Sequence, residues 1–386
     1  MRIDLLFPAL PPALDGIGDH TARFAKALAP HADVRILTAQ PDARPIPGVS
    51  IERAFTLQTR AGIQAVQDAI EKAPPDVLFV QFNQFSYGRW GLNPYLHRTL
   101  ASIKEECPTI HVAWMAHEDF VPPTNWRNRI MRLWQRWQFK QLGRIADTIF
   151  FSIEPWVRQY ASWFPETPIR HLPVGSNMPN LGIDRLTARK QIGLPQSIVV
   201  AGLFGTMHAS RMLPLVRRTA EALCGNPDKE VLFLYVGPDG DVVRDTLGSF
   251  PLWDAGRLSA EDVSLHLSAM DFQLAPFIDG ISTRRGSALA AMQHGLPIVT
   301  TDGPLTDPIL KTANGDALFL APLSAPDQFV EHARTLTATP RLRDRMGRAA
   351  RALYQDAFSF EVTTTTFLNA CLPSTSHERR HSHAAG

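Results

Sequence analysis

Short, continuous apolar runs alternate with amphipathic stretches along most of this chain. In the first half, residues 2–7, 34–38, 76–82, 110–115 and 148–152 read as buried strands, rich in Val, Ile, Leu and Phe. Between them the apolar period lengthens toward that of a helix. Residues 20–29 are an example, where Ala22, Phe24, Ala25 and Leu28 form one face. The pattern then restarts. Strands are expected at 197–204, 230–236, 272–275, 298–301 and 317–320, with a helix at 212–223 after the first of them. Strand–helix alternation of this kind predicts parallel, doubly wound sheets, hence an α/β chain of two Rossmann-like domains. The boundary is expected in the Pro- and Gly-bearing connector HLPVGSNMPN, residues 171–180.

The segment DGISTRRGSALAAMQHGLPIVTTDG, residues 279–303, carries the most specific pattern. It predicts a loop, a helix capped by Ser282 or Thr283, a stop at Gly295 and a strand after Pro297. Arg284 and Arg285 then fall in the first turn, where cations oppose the helix dipole. Two arginines there are explained if the free N–H groups and both guanidinium forks face one anion; otherwise they are solvated surface charges.

Size and charge narrow the class. A chain of 386 residues suits two or three domains, and a formal net charge of +2 gives no basis for a nucleic-acid partner. The three cysteines, Cys107, Cys224 and Cys371, have neither paired nor metal-like spacing, as expected of reduced cytosolic thiols. The apolar N-terminal run is too short for a signal peptide or a spanning helix, and no later segment is long enough to span. A cytoplasmic protein is therefore expected. Residues 373–386 are polar and aperiodic, as in a disordered tail; His381 and His383 there are read as solvated rather than metal-binding.

Two tandem sheets make a cleft, and ligands of open α/β sheets bind beyond the carboxyl ends of the strands. The loops at those ends hold Gly16, Gly18, His117, Gly205, Arg211 and Gly237. Gly16 and Gly18 permit close backbone approach to a phosphate or sugar, or serve a plain turn, with Asp19 as a cap. His117 follows a buried strand and can hydrogen-bond a sugar hydroxyl, its ring oriented by Glu118 or Asp119; the alternative is a core histidine. The 202–211 loop, with His208 and Arg211, suits an anion nest clamped by a guanidinium. Asp302 and Asp307 are weaker candidates. Residues 126–144 form a helix with Trp126, Ile130, Leu133, Trp134 and Trp137 on one face and Arg129, Arg132, Arg136 and Lys140 on an adjacent one. That apolar face either packs into the first domain or lies on an anionic membrane surface.

Several of these segments resemble the family-4 glycosyltransferases, retaining enzymes of the GT-B fold, and the resemblance runs from Arg2 to about Leu372. DGIGDHTARFAKAL is similar to the family's N-terminal glycine loop and first helix. WMAHEDF resembles the segment bearing an active-site histidine, which puts that role on His117. LFGTMHASRM resembles the loop that holds the donor pyrophosphate, LAAMQHGLPIVTTDG the most recognisable motif, and DAFSF the start of the last helix.

The resemblance implies an acceptor-side domain over 1–175, a donor domain over 176–355 and a helix over 356–372 that crosses back. It also implies a nucleotide diphosphate sugar as donor, a sugar or lipid-linked sugar as acceptor, and no metal or other cofactor; the helix over 126–144 is what would bring the chain to the inner face of the membrane. His117, Arg211, Arg284 and Asp279 take the catalytic roles. Gly16, Gly18, Gly205, His208, Gly237, Ser282, Thr283, Arg285 and Gly286 line the donor site.

The chain departs from the pattern. The family's Glu-x7-Glu falls on Ser282 and Ala290, Asp279 stands near the first of these places, and the usual Arg and Lys after the first strand of the second domain fall near Gly205 or Thr206 and on Arg211. A non-catalytic GT-B paralogue that binds nucleotide sugar, an epimerase and a phosphorylase are the alternatives; for the last, no pyridoxal lysine is evident.

Overall fold

The computed structural model describes residues 1–56, 59–225 and 230–371, so the tail expected to be disordered lies outside the described residues. Two parallel sheets divide the chain. The first contains β1 (Arg2–Leu6), β2 (Asp33–Thr38), β3 (Val49–Arg53), β4 (Val77–Phe82), β5 (His111–Ala116), β6 (Thr148–Phe151) and β7 (Ile169–His171) in the order β3-β2-β1-β4-β5-β6-β7. The second contains β8 (Val199–Phe204), β9 (Val231–Val236), β10 (Leu252–Asp254), β11 (Phe272–Ala275), β12 (Ile298–Asp302) and β13 (Leu318–Pro322) in the order β10-β9-β8-β11-β12-β13. The expected strands appear within a residue or two of their predicted ends. β3, β7 and β10 were not foreseen; the last two have three residues each, too few to show a period.

Each sheet reverses its winding once, between β1 and β4 and between β8 and β11. At such a switch point the helices after the two central strands leave on opposite faces, and a crevice opens at the strand ends. The central strands suit this role because burial on both faces demands a mostly apolar sequence: VLFVQF of β4 and FQLA of β11 are buried throughout, each with one glutamine. The single polar break in β4, Gln81, lies at its carboxyl end, beside the crevice.

The helix Gly16–Leu28 follows β1. Its cap is Asp15, whose Oδ1 accepts from the N–H groups of Ile17 at 2.9 Å and Gly18 at 2.8 Å, so the glycines lie in the first turn rather than in a preceding loop, and Asp19 is not the cap. A Cβ at Gly18 would sit 2.7 Å from the Ala9 carbonyl oxygen, which requires glycine for packing, whereas a Cβ at Gly16 would meet nothing within 4 Å. The last helix, Phe360–Cys371, returns to the first sheet, where the Phe367 ring lies 4.4 Å from Phe79 and 5.4 Å from Phe24. Its burial ties this helix to the first domain.

The helix Trp126–Ile145 corrects an expectation. Its inward face is Gln135, Gln138, Phe139, Leu142 and Gly143, while Trp126, Ile130, Leu133 and Trp137 are exposed. The glutamines hold the inner face because each finds a backbone partner: Gln138 Nε2 donates to Gly91 O at 2.6 Å and Gln135 Oε1 accepts from Val121 N at 3.0 Å. Of the two readings of the aromatic stripe, packing into the first domain is excluded for Trp126, Ile130, Leu133 and Trp137, which face outward.

Candidate active site in the interdomain cleft

Two adjoining cavities, of about 480 and 420 Å³, occupy the two switch-point crevices and share Gly16, Asn177, Arg284 and Gly286 as walls. The first belongs mainly to the N-terminal domain and is lined by His20, Asn83, His117 and Glu118, among others. The second belongs to the C-terminal domain and is lined by Gly205, His208, Arg211, Phe277 and Arg285.

The second cavity is electropositive. Arg211 follows β8, and its Nη2 donates to Phe204 O at 2.8 Å and to Ser287 Oγ at 3.0 Å. Its guanidinium and that of Arg285 each lie 4.4 Å from the Phe277 ring centroid. Asp279 clasps Arg285 through both carboxylate oxygens, at 2.8 and 2.9 Å, and Arg284 through Oδ2 at 2.7 Å. Arg284 also reaches across the cleft to Glu118 Oε2 at 2.7 Å. Three guanidinium groups thus meet two carboxylates, and Arg211 has no carboxylate partner among the described residues. Desolvation first, and then the charge of Arg285, draw the Arg211 pKa down to about 10, while desolvation and the charge of Arg284 lower that of Arg285. The cluster therefore holds positive charge at an energetic cost that a bound anion would remove.

The helix after these arginines begins at Gly286, not at Ser282 or Thr283, and Arg285 occupies its cap position without a side-chain cap. The reason lies in the other domain. Thr283 is buried, its hydroxyl 2.7 Å from Ser152 O, 3.0 Å from Asp307 Oδ2 and 2.8 Å from His171 Nε2, and its N–H donates to Asp307 at 2.7 Å. Asp307 also accepts from Glu154 N at 2.6 Å. Thr283 and Asp307 thus join the two domains, and neither is free to hold a phosphate. Ser282 is likewise buried. Gly286 and Ser287 are the first-turn residues that reach the cavity.

Gly205, at φ 93°, needs a glycine's backbone freedom and lines the cavity. His208 lies on its exposed rim. Gly237 sits behind the wall, where a Cβ would be 2.5 Å from Gly205 O. Ala290 is fully buried, so no side chain reaches the cavity from that turn.

In the first cavity His117 is buried, and its Nε2 lies 2.5 Å from Gln81 Oε1. Gln81 orients the ring. Glu118 instead pairs with Arg284, and Asp119 accepts from the Tyr160 hydroxyl at 2.5 Å. With Gln81 Oε1 as acceptor, the ring proton is on Nε2 and Nδ1 is an acceptor. Burial, and then the nearby His20, hold the His117 pKa well below the usual histidine value, so the ring is neutral near pH 7. His20, whose ring centroid lies 5.3 Å from that of His117, donates from Nδ1 to Val174 O at 2.6 Å. In the sequence, His20 is only the first residue of the helix expected over 20–29, and Gln81 lies inside the strand expected over 76–82. The signal for Gln81 was its place as the one polar residue at the end of an apolar strand.

Burial of His20 also predicts an acid limit on stability. Desolvation lowers its pKa from 6.5 to about 4. The unfolded chain therefore binds a proton between those values that the folded chain refuses, and stability present above pH 6.5 is lost as pH falls toward 4. Chemical denaturation should show a loss of about 2 kcal/mol between pH 7 and pH 5 from this ring alone. Equal stability at the two pH values would contradict its neutral, buried state.

No protein-family model and no curated protein matches the sequence. Solved structures do match. Sucrose-phosphate synthase from Thermosynechococcus elongatus superposes with a TM-score of 0.71 at 16% identity, over 96% of this chain and 98% of that one. WaaG, a glycosyltransferase involved in lipopolysaccharide biosynthesis, gives 0.67 at 15% identity, over 96% and 99%. This chain has the GT-B fold. Anabaena HepE, solved in complex with UDP and glucose, gives 0.65 at 14% identity, over 96% of this chain and 98% of HepE. Within GT-B geometry the two cavities are the facing halves of the interdomain cleft.

Proposed function

We propose that this protein is a glycosyltransferase that moves a sugar from a nucleotide diphosphate donor to an acceptor hydroxyl, with retention at the anomeric carbon. The unpaired, half-buried Arg211 beside Arg284 and Arg285, at the switch point of the second sheet, carries this reading. A diphosphate is the anion that suits three guanidinium forks, the first turn at Gly286 and Ser287, and the backbone at Gly205. HepE is a structural neighbour whose complexes hold UDP and UDP-glucose.

In this reading the bond from the anomeric carbon to the diphosphate oxygen breaks, and the leaving group takes the electron pair. Arg211 and Arg284 stabilise the growing charge. The acceptor oxygen bonds the same carbon on the same face, and its proton passes to the departing phosphate oxygen. Asp279 is a positioning residue that splays Arg284 and Arg285 toward the ligand. The neutral His117 accepts, at Nδ1, a hydroxyl hydrogen of the donor sugar from the other domain. The acceptor, a sugar or a lipid-linked sugar, enters through the first cavity. Fixed cations take the place of a metal ion, and the product belongs to glycan, glycolipid or polysaccharide synthesis.

Calorimetry with uridine, guanosine, adenosine and thymidine diphosphate sugars, each with and without a chelator, tests this function. One of them should bind equally well in both conditions. Binding of none, or binding that requires magnesium or manganese, would contradict the reading.

A further inference from the structure

The helix Trp126–Ile145 has a second apolar face that is largely exposed among the described residues, with only Trp137 touching a neighbouring ring, that of His97 at 4.8 Å. At 100° per residue, Trp126, Ile130, Leu133 and Trp137 fall within an arc of about 60°, diametrically opposite the buried Gln135, Phe139 and Leu142. Their exposures are 67, 46, 69 and 42%. A soluble helix buries one stripe and wets the other; this one is apolar on both. Trp90 adds to the face. Its carbonyl accepts from Trp134 Nε1 at 3.1 Å, and its side chain is 59% exposed although the residue is held at φ 61°, the only non-glycine position with positive φ among the described residues.

The charge around this face has one sign. Arg127, Arg129, Arg132, Arg136, Lys140 and Arg144 lie on the helix, and residues 120–146 contain no Asp or Glu. The chain as a whole has a net charge of only +2, so this helix concentrates cations that the rest of the sequence balances. Arg129, Arg136 and Lys140 flank the apolar stripe on one side and are exposed. Exposed tryptophans and aliphatics bordered by arginines and lysine match the interface of an anionic bilayer, where rings sit at headgroup depth and cations meet lipid phosphates. A protein partner would need a similar array of carboxylates around an apolar groove. Among the described residues no helix is long and apolar enough to cross a membrane, so contact through this helix is at the surface.

From these observations we infer that the outer face of the helix Trp126–Ile145, with Trp90, docks this protein on an anionic phospholipid surface. The segment that supplies Trp90 also supplies Asn83, Phe85 and Ser86 to the first cavity, so the docking face and that cavity wall belong to one short stretch of chain. Docking does not depend on donor chemistry, and vesicle binding without nucleotide sugar reads it alone.

Vesicle flotation tests it, using phosphatidylcholine vesicles with and without phosphatidylglycerol. The protein should float with the anionic vesicles and not with the neutral ones, and high salt should weaken binding. Trp126→Ser with Leu133→Ser should reduce binding at least on the order of tenfold. Arg129→Gln with Lys140→Gln should reduce it about fivefold per charge. All four side chains are exposed, so melting temperatures should stay close to the parent protein's, apart from the small loss of the Lys140 contact with the Trp163 ring at 4.8 Å. Failure of the parent protein to bind anionic vesicles would overturn the inference, as would unchanged binding in both double variants. Sedimentation showing a parent dimer that Trp126→Ser with Leu133→Ser dissociates would assign the face to a second copy and overturn it as well.

Discussion

Arg211→Ala should lower kcat/KM several hundredfold while leaving the fold at least as stable. A fixed donor to charge that develops in the transition state contributes about 3–4 kcal/mol, because it acts in a water-poor site that needs no reorganisation. Arg211 meets that condition: it is held against the charge of Arg285, with hydrogen bonds to Phe204 O and Ser287 Oγ but no carboxylate. Removing an unpaired charge relieves repulsion, so the variant should not melt earlier by an amount that explains the kinetic loss. Arg211→Lys restores charge without the planar fork and should recover part of the rate. Arg284→Ala should lose at least a hundredfold, with a further effect from leaving Glu118 unpaired across the cleft. Steady-state kinetics with thermal melting on the same preparations checks both. Near-normal turnover in Arg211→Ala and Arg284→Ala would assign these side chains to structure alone.

His117→Ala should divide the two cavities functionally. The proposed diphosphate site is on the second domain, whereas His117 stands on the first, oriented by Gln81. Nucleotide diphosphate affinity should therefore change less than about twofold, and turnover should fall on the order of a hundredfold, since an interaction strongest in the transition state acts on rate. Gln81→Ala should move kinetics in the same direction by a smaller factor, because it frees the ring without removing it. A His117→Ala protein that melts earlier but turns over normally per folded molecule would make His117 a core residue.

Much of the architecture was legible because a doubly wound sheet imposes its pattern directly. Strands buried on both faces are mostly apolar, and the restart near residue 197 announces a second sheet. Edge strands escaped notice because their sequences are short and mixed, as in LWD at 252–254. At the candidate site, residue type and place after a strand single out His117, Gly205, Arg211, Arg284, Arg285 and Gly286, all of which line the two cavities. Partnership was not legible, because it depends on which loops of two separate sheets meet. Local sequence suggested Glu118 for His117 and a helix cap for Thr283. Packing gave Glu118 to Arg284 and fixed Thr283 between Ser152 and Asp307. The same limit applies to the helix Trp126–Ile145. Its period showed an aromatic face, but only the placement of Gln135 and Gln138 inward revealed that the face is outside.

The central claim is that the second cavity is a diphosphate site. The structure of the complex with the nucleoside diphosphate selected by calorimetry tests it most directly. Phosphate oxygens are expected between Gly205, Arg211, Arg284 and the first turn at Gly286, with Arg211 paired for the first time. A ligand bound elsewhere, or phosphates in the cleft without contact to Arg211 and Arg284, would contradict it.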